Sequence, residues 1–197
     1  MRLSSSVYVT FVLVLLSALP ASAQPAATKP VWGVEVGGGV AYLTVPKGTL
    51  RSMGGDISGG LFVNVPFISV YRLQPELRFD HRQSDVRGTT RKFDYLDIPI
   101  LVHIKIFKGL FMNEGPAFHV PLRARVESAG QETDVKSNTR ADISLVMGVG
   151  VKAGNKIRVE GRWDTGIKAT QKTVPSGDVT TRHRSITGVI SIDLSKK

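Results

Sequence analysis

The sequence predicts an all-β chain, an eight-stranded antiparallel up-and-down transmembrane β-barrel. Three observations lead there. Apolar and polar residues alternate with a period of two along most of the chain, which places successive side chains on opposite faces of a strand. Eight such segments follow one another, an even number, each near the about 9–11 residues that a tilted membrane strand needs. The connections alternate between short and long, as in a barrel whose tight turns share one end and whose loops share the other.

Ahead of the strands, Arg2, the apolar run Val7 to Leu19 and Ala21-Ser22-Ala23 follow the plan of a secretory signal peptide over residues 1–23, cut before Gln24. Residues 24–30 read as a flexible lead-in and 31–197 as the barrel domain. The chain has no cysteine, so its stability must come from packing and backbone pairing. Mean hydropathy near zero speaks against a helical membrane protein but not against a barrel, whose two faces average out. The formal charge is +10. An exported chain has no routine access to nucleic acid, so anionic headgroups or surface polysaccharide are the electrostatic partners to expect.

The first segment sets Trp32, Val34, Val36, Val40 and Tyr42 against Gly33, Glu35, Gly37, Gly39 and Ala41. The second sets Ile57, Gly59, Leu61, Val63 and Val65 against Asp56, Ser58, Gly60 and Asn64, with Phe62 as an exception. In the third, Tyr71 to Asp80, every odd position is apolar, while Arg72, Glu76, Arg78 and Asp80 alternate in charge. The fourth, about Phe93 to Ile106, sets Leu96, Ile98, Ile100, Val102 and Ile104 against Asp97, His103 and Lys105. The fifth sets Phe118, Val120, Leu122 and Val126 against His119, Arg123 and Arg125.

The sixth opposes Ile143, Leu145, Met147, Val149 and Val151 to Asp142, Ser144, Gly148, Gly150 and Lys152. In the seventh, Ile157, Val159, Trp163 and Ile167 oppose Arg158, Glu160, Arg162, Asp164 and Lys168. The eighth opposes Ile186, Ile190, Ile192 and Leu194 to Ser185, Thr187, Ser191 and Asp193. Short connections are expected near Pro66–Ser69, Phe107–Gly109 and Gly154–Asn155. Long ones are expected near Thr44–Gly54, Arg82–Lys92, Glu127–Ala141 and Ala169–His183.

Alternation alone leaves open which face looks inward. A soluble barrel would turn the apolar face in and bind a small apolar ligand. The polar faces, however, are rich in glycine, alanine and opposite charges, which suit the crowded interior of a narrow barrel. Aromatics gather near strand ends: Trp32, Phe67, Tyr71 and Phe107 toward the short turns, and Tyr42, Phe79, Phe93 and Tyr95 toward the long loops. Two interfacial girdles are the expectation, with Trp32, Tyr42, Tyr71, Phe79 and Tyr95 as their markers. Trp163, mid-strand, does not fit them, and Pro75 and Pro99 each remove a ladder donor.

The phrase Tyr95-Leu96-Asp97-Ile98-Pro99-Ile100-Leu101-Val102, followed by Glu114-Gly115-Pro116, resembles the PorT-like outer-membrane β-barrel domain family. That family is related in architecture to OmpX and the OmpA membrane domain. Leu73-Gln74-Pro75-Glu76-Leu77 is similar to its third strand. The resemblance implies an outer-membrane barrel and no defined chemistry. Outer-membrane proteins often finish on an aromatic residue, whereas here Leu194 is followed by Ser195-Lys196-Lys197.

The residues expected to matter are Arg72, Glu76, Arg78, Asp80, Arg158, Glu160, Arg162 and Asp164, read as a structural salt-bridge network filling the lumen. His183-Arg184-Ser185 resembles the His-x-Ser arrangement of lipid A deacylases, in which His would activate Ser. It is outweighed by the non-catalytic reading. His81, His103 and His119 lie on different strands without metal-ligand spacing. No cofactor and no metal are expected. Arg51, Arg87, Arg91, Lys92, Arg140, Lys172, Arg182 and Arg184 in the long loops could meet lipopolysaccharide phosphates. The whole reads as a monomeric outer-membrane protein with a structural or surface-interaction role. Its expected partners are membrane lipid, lipopolysaccharide and the assembly machinery.

Overall fold

The computed structural model describes residues 29–44, 51–68, 70–86, 88–128, 130–167 and 182–195. The expected leader, most of the lead-in, and much of the loops at 44–54 and 169–183 lie outside these residues. The strands are β1 (Val31–Thr44), β2 (Arg51–Ile68), β3 (Tyr71–Val86), β4 (Thr89–Phe107), β5 (Leu110–Ser128), β6 (Gln131–Asp134), β7 (Asp142–Ala153), β8 (Ile157–Gly166) and β9 (Arg182–Asp193). All but β6 pair in sequence order and antiparallel. β1 then pairs with β9, Val36 opposite Ile190, which closes an eight-stranded barrel. β6 is an added arm that pairs with Arg125 to Ser128 at the end of β5.

The short turns and the first and last strand ends share one rim. Between β4 and β5 the chain reverses on Lys108 (φ 28°) and Gly109 (φ 93°). Two positive φ values match the right-handed twist of the flanking strands, and glycine adopts them without steric cost. The Gly109 carbonyl also accepts a 2.8 Å bond from the amide of Lys152, tying this turn to β7.

The alternation resolves as apolar outward and polar inward. Val36, Leu61, Leu77, Met147, Val159 and Ile190 are exposed, while Glu35, Glu76, Arg78, Asp97, Glu160 and Arg162 are buried. This is the inverse of a soluble barrel. A continuous apolar belt of this extent needs lipid around it, because soluble monomers rarely expose more than a few hundred Å² in one patch. Trp163 takes its place in that belt, 55% exposed. The belt ends abruptly toward the loops: the next outward residue beyond Phe79 is His81, beyond Leu96 is Asp94, and beyond Ile186 is Arg184. His81 Nδ1 and Asp94 Oδ1 are 2.6 Å apart on this polar collar.

Four expectations are corrected. Tyr95, expected at the membrane interface, is 1% exposed and points into the lumen with Phe93. Both share the parity of Asp97, and parity outranks proximity to a strand end. Arg123 and Arg125, placed on the inner face with His119, lie outside. Pro121 lies opposite Tyr95 while Arg123 lies opposite Asp94, so one extra residue bulges from β5 and reverses its faces. A proline, which cannot donate to the ladder, is at home in such a bulge. The segment Arg82–Lys92 is strand rather than loop, because β3 and β4 run on to Val86 and Thr89. Their outer ends are polar but rich in threonine, and they rise past the membrane as a hairpin. Finally, several strands are longer than the membrane requires, β4 and β5 each having 19 residues.

The prolines leave their mark on the ladder. Pairing of β3 with β4 is interrupted between Pro75–Ile100 and Arg78–Asp97, and that of β4 with β5 between Pro99–Ala117 and Val102–Glu114.

Candidate functional site

The lumen is the most structured part of the molecule, and its side chains meet across the full width of the barrel. β3 and β8 stand four strands apart in either direction, on opposite walls. Near the turn end, Arg158 Nη1 donates to Gln74 Oε1 at 2.8 Å, and Asn64 Nδ2 donates to the same oxygen at 2.7 Å. The Arg158 guanidinium also lies 4.3 Å over the Phe62 ring, a cation–π contact in a desolvated setting. Phe62, the exception in its segment, is thus an inward ring supporting a charge.

At mid-height Arg162 is the hub. It donates to Glu76 Oε2 at 2.7 Å and to Glu76 Oε1 at 2.9 Å, a bidentate fork across the lumen. It also reaches Glu35 Oε2 at 3.3 Å and Glu160 Oε1 at 3.0 Å. Arg78 approaches Asp97 at 3.6 Å and Glu35 at 3.9 Å. One layer higher, Arg82 donates through Nε to Asp80 at 2.8 Å, and its Nη2 lies 3.3 Å from Asp97 and 3.6 Å from Asp164 on the far wall. At the loop end the Tyr95 hydroxyl and His183 Nε2 are 3.4 Å apart, with Phe93 stacked on Tyr95 at 6.0 Å. Val135 packs on this cluster, held by its amide donating to the Ala124 carbonyl at 2.9 Å.

The glycines of the inner face make room for these groups. A Cβ on Gly33 would meet the Phe62 ring at 2.6 Å, and one on Gly148 would collide with the Glu160 carboxylate. The space left among Asp56, Arg78, Asp80, Arg82, Arg162 and Asp164 is 10 Å³, about what one water molecule occupies.

The eight charged residues expected in the lumen are all buried there. They do not form one network. Arg72 stands apart, its Nη2 donating to the carbonyls of Asn64 at 3.2 Å and Lys29 at 3.3 Å. Glu35, Asp56, Arg82, Asp97 and His119 complete the ion pairs, and their inward parity is the signal that identifies them. Trp32 and Phe79 are about half exposed on the outer face, and Tyr42 and Tyr71 are partly exposed there.

His183 and Ser185 both face inward and are buried, His183 against Phe93 and Tyr95. A different serine meets a histidine. Ser144 Oγ is 2.7 Å from His119 Nε2, and His119 Nδ1 is 2.7 Å from Asp97 Oδ1. The order is that of an acyl-transfer triad. Ser144 is only 1% exposed, however, and His119 Nε2 also lies 3.5 Å from Asp164 Oδ2.

A closed barrel with a charged interior and a lipid-facing belt is a transmembrane β-barrel. Residues 22–170 match the family described as outer membrane protein beta-barrel domain, and the chain belongs to that family. Among solved structures, Neisserial surface protein A is similar in fold, with TM-score 0.60 and 12% identity over 85% of this chain and 100% of that one. Ail, the attachment invasion locus protein of Yersinia pestis, in complex with the heparin analogue sucrose octasulfate, matches with TM-score 0.48 and 11% identity over the same shares. A comparison with curated proteins finds no match.

Proposed function

We propose that this protein is a closed, non-catalytic outer-membrane scaffold whose interior is structural and whose loop end presents a surface to anionic envelope components. The bidentate Arg162–Glu76 bridge between opposite walls carries the reading, because a solute path would have to break it. Removing one partner of a buried pair leaves an uncompensated charge at a cost of about 3–5 kcal/mol. The reading extends to lipopolysaccharide through Arg123 and Arg184, which are exposed on the outer face at the membrane border. There they meet the level at which phosphate groups of the outer leaflet lie.

Two measurements test it. In planar bilayers the protein should give no steady conductance to small ions; a stable conducting state would overturn the closed lumen. Binding to lipopolysaccharide micelles should weaken in R123S/R184S and with added salt; binding equal to the parent would remove the surface role.

The Ser144–His119–Asp97 geometry supports a second, hydrolase reading. An active-site-directed fluorophosphonate should leave Ser144 unlabelled in the folded barrel. Labelling abolished by H119A would replace the scaffold reading with an enzymatic one.

A further inference from the structure

We propose that the turn-end mouth of the barrel, on the periplasmic side, is a binding site for a phosphate ester. A cavity of 470 Å³ opens there, lined among others by Arg72, Lys105, Lys108, Lys152, Arg158 and Asp193. Five formal cations therefore share it with one carboxylate. Asp193 is already engaged: its Oδ1 lies 3.4 Å from Arg158 Nε and its Oδ2 3.9 Å from Lys152 Nζ. Among the described residues, no carboxylate lies within ion-pair distance of Arg72, Lys105 or Lys108.

The two arginines are built into the barrel wall. Arg72 and Arg158 are 9% and 5% exposed, and Nε of Arg72 and Nη2 of Arg158 are buried without a hydrogen-bond partner. Buried donors left unpaired cost free energy that an arriving acceptor recovers. This positive charge stands apart from the Arg162 hub, whose own carboxylates are Glu35, Glu76 and Glu160. Two planar guanidinium forks beside ammonium groups suit a tetrahedral oxyanion better than a single carboxylate. The rim adds a further preference. Ile106 and Phe107 are 54% and 66% exposed at the membrane edge, so a phosphate carrying an apolar body can leave that body in the lipid. The chemistry is shared by a soluble phosphate ester and by the headgroup of a phospholipid of the facing leaflet.

The test uses the whole protein in micelles of an uncharged detergent, titrated with inorganic phosphate at constant ionic strength and followed by phosphorus NMR. Saturable binding is expected, weakened at least fivefold in K105Q/K152Q, whose side chains are exposed. R158Q should abolish it, while R125Q at the opposite end, where Arg125 is paired with Glu132, should leave it unchanged. No saturable binding, or equal binding in K105Q/K152Q, overturns the site. Phosphatidic acid doped into the micelles then identifies the source. Displacement of phosphate by phosphatidic acid but not by diacylglycerol supports a lipid headgroup. Displacement by glycerol phosphate alone supports a soluble ester.

Discussion

Arg162 on β8 and Glu76 on β3 share two hydrogen bonds of 2.7 and 2.9 Å across the diameter of the barrel. Neither residue is near the other in sequence or in the sheet, and each is buried to within a few per cent. Replacing Arg162 by leucine leaves Glu76, Glu35 and Glu160 facing one another without their shared cation. Destabilisation of about 3–5 kcal/mol is expected, read as a lower urea midpoint in micelles. Lysine should not restore the parent value, because it cannot form the fork.

Space inside the barrel is reserved by glycine, and the reserve can be measured by filling it. A Cβ on Gly150 would press on the Phe111 ring and on the Val159 carbonyl. Gly150→Val is expected to cost about 1–3 kcal/mol through overpacking. Gly161, on the lipid face, has nothing within 4 Å of its added Cβ. Gly161→Val should be neutral or stabilising, since a β-branched residue suits a strand. The same unfolding measurement compares the two.

Glu114 interrupts the lipid belt. It lies on the outer face of β5, opposite Val102 on one side and Met147 on the other. It forms no hydrogen bond or ion pair with the described residues. Glu114→Leu is expected to stabilise the barrel by up to about 2 kcal/mol, the scale of a charge removed from the lipid face. A drop in stability would mean that the carboxylate has a partner within the membrane.

The hairpin above the membrane responds to alkali. Lys92 Nζ lies 3.0 Å from Glu127 Oε2, and this hydrogen bond and charge hold the ammonium above its ordinary range. A base whose folded pKa is raised contributes fully below its unfolded value and loses the contribution as pH climbs through the folded one. A nitroxide at Gly88 should therefore gain mobility above about pH 10 in the parent. K92Q should already be mobile at neutral pH and show no alkaline step. The effect is small, as exposed pairs are.

Much of the architecture is written in the period of two. The inward set Glu35, Asp56, Arg78, Asp97 and Arg162 follows from parity once the outer face is recognised, and so does the belt from Trp32 to Leu194. Tyr95 departs from the expected girdle: aromatic residues near strand ends suggest one, although its spacing from Asp97 assigns it inward. Arg123 lies outside because a bulge at Pro121 reverses parity, and a single sequence does not announce its bulges. The relay of Asp97, His119 and Ser144 depends on register: Asp97 stands opposite His119, and Ser144 opposite Ala117 two residues away. Alternation gives faces, whereas register comes from how neighbouring strands slide to match. The cationic mouth was hidden for the same reason, its residues being scattered from Arg72 to Arg158 and gathered by closure.

The bridge across the diameter also bears on the order in which the barrel can be made. β3 is synthesised long before β8, and until β8 arrives Glu76 lacks the fork that neutralises it. A curved half-sheet in lipid would hold that carboxylate, together with Glu35, open toward whatever fills the growing concavity. Each added hairpin extends the wall, but the last ones deliver Arg162, the cation that forms the fork on Glu76. A barrel short of β8 and β9 leaves Glu35 and Glu76 with only Arg78, 3.9 Å from each, as a hub cation, and completion adds the second.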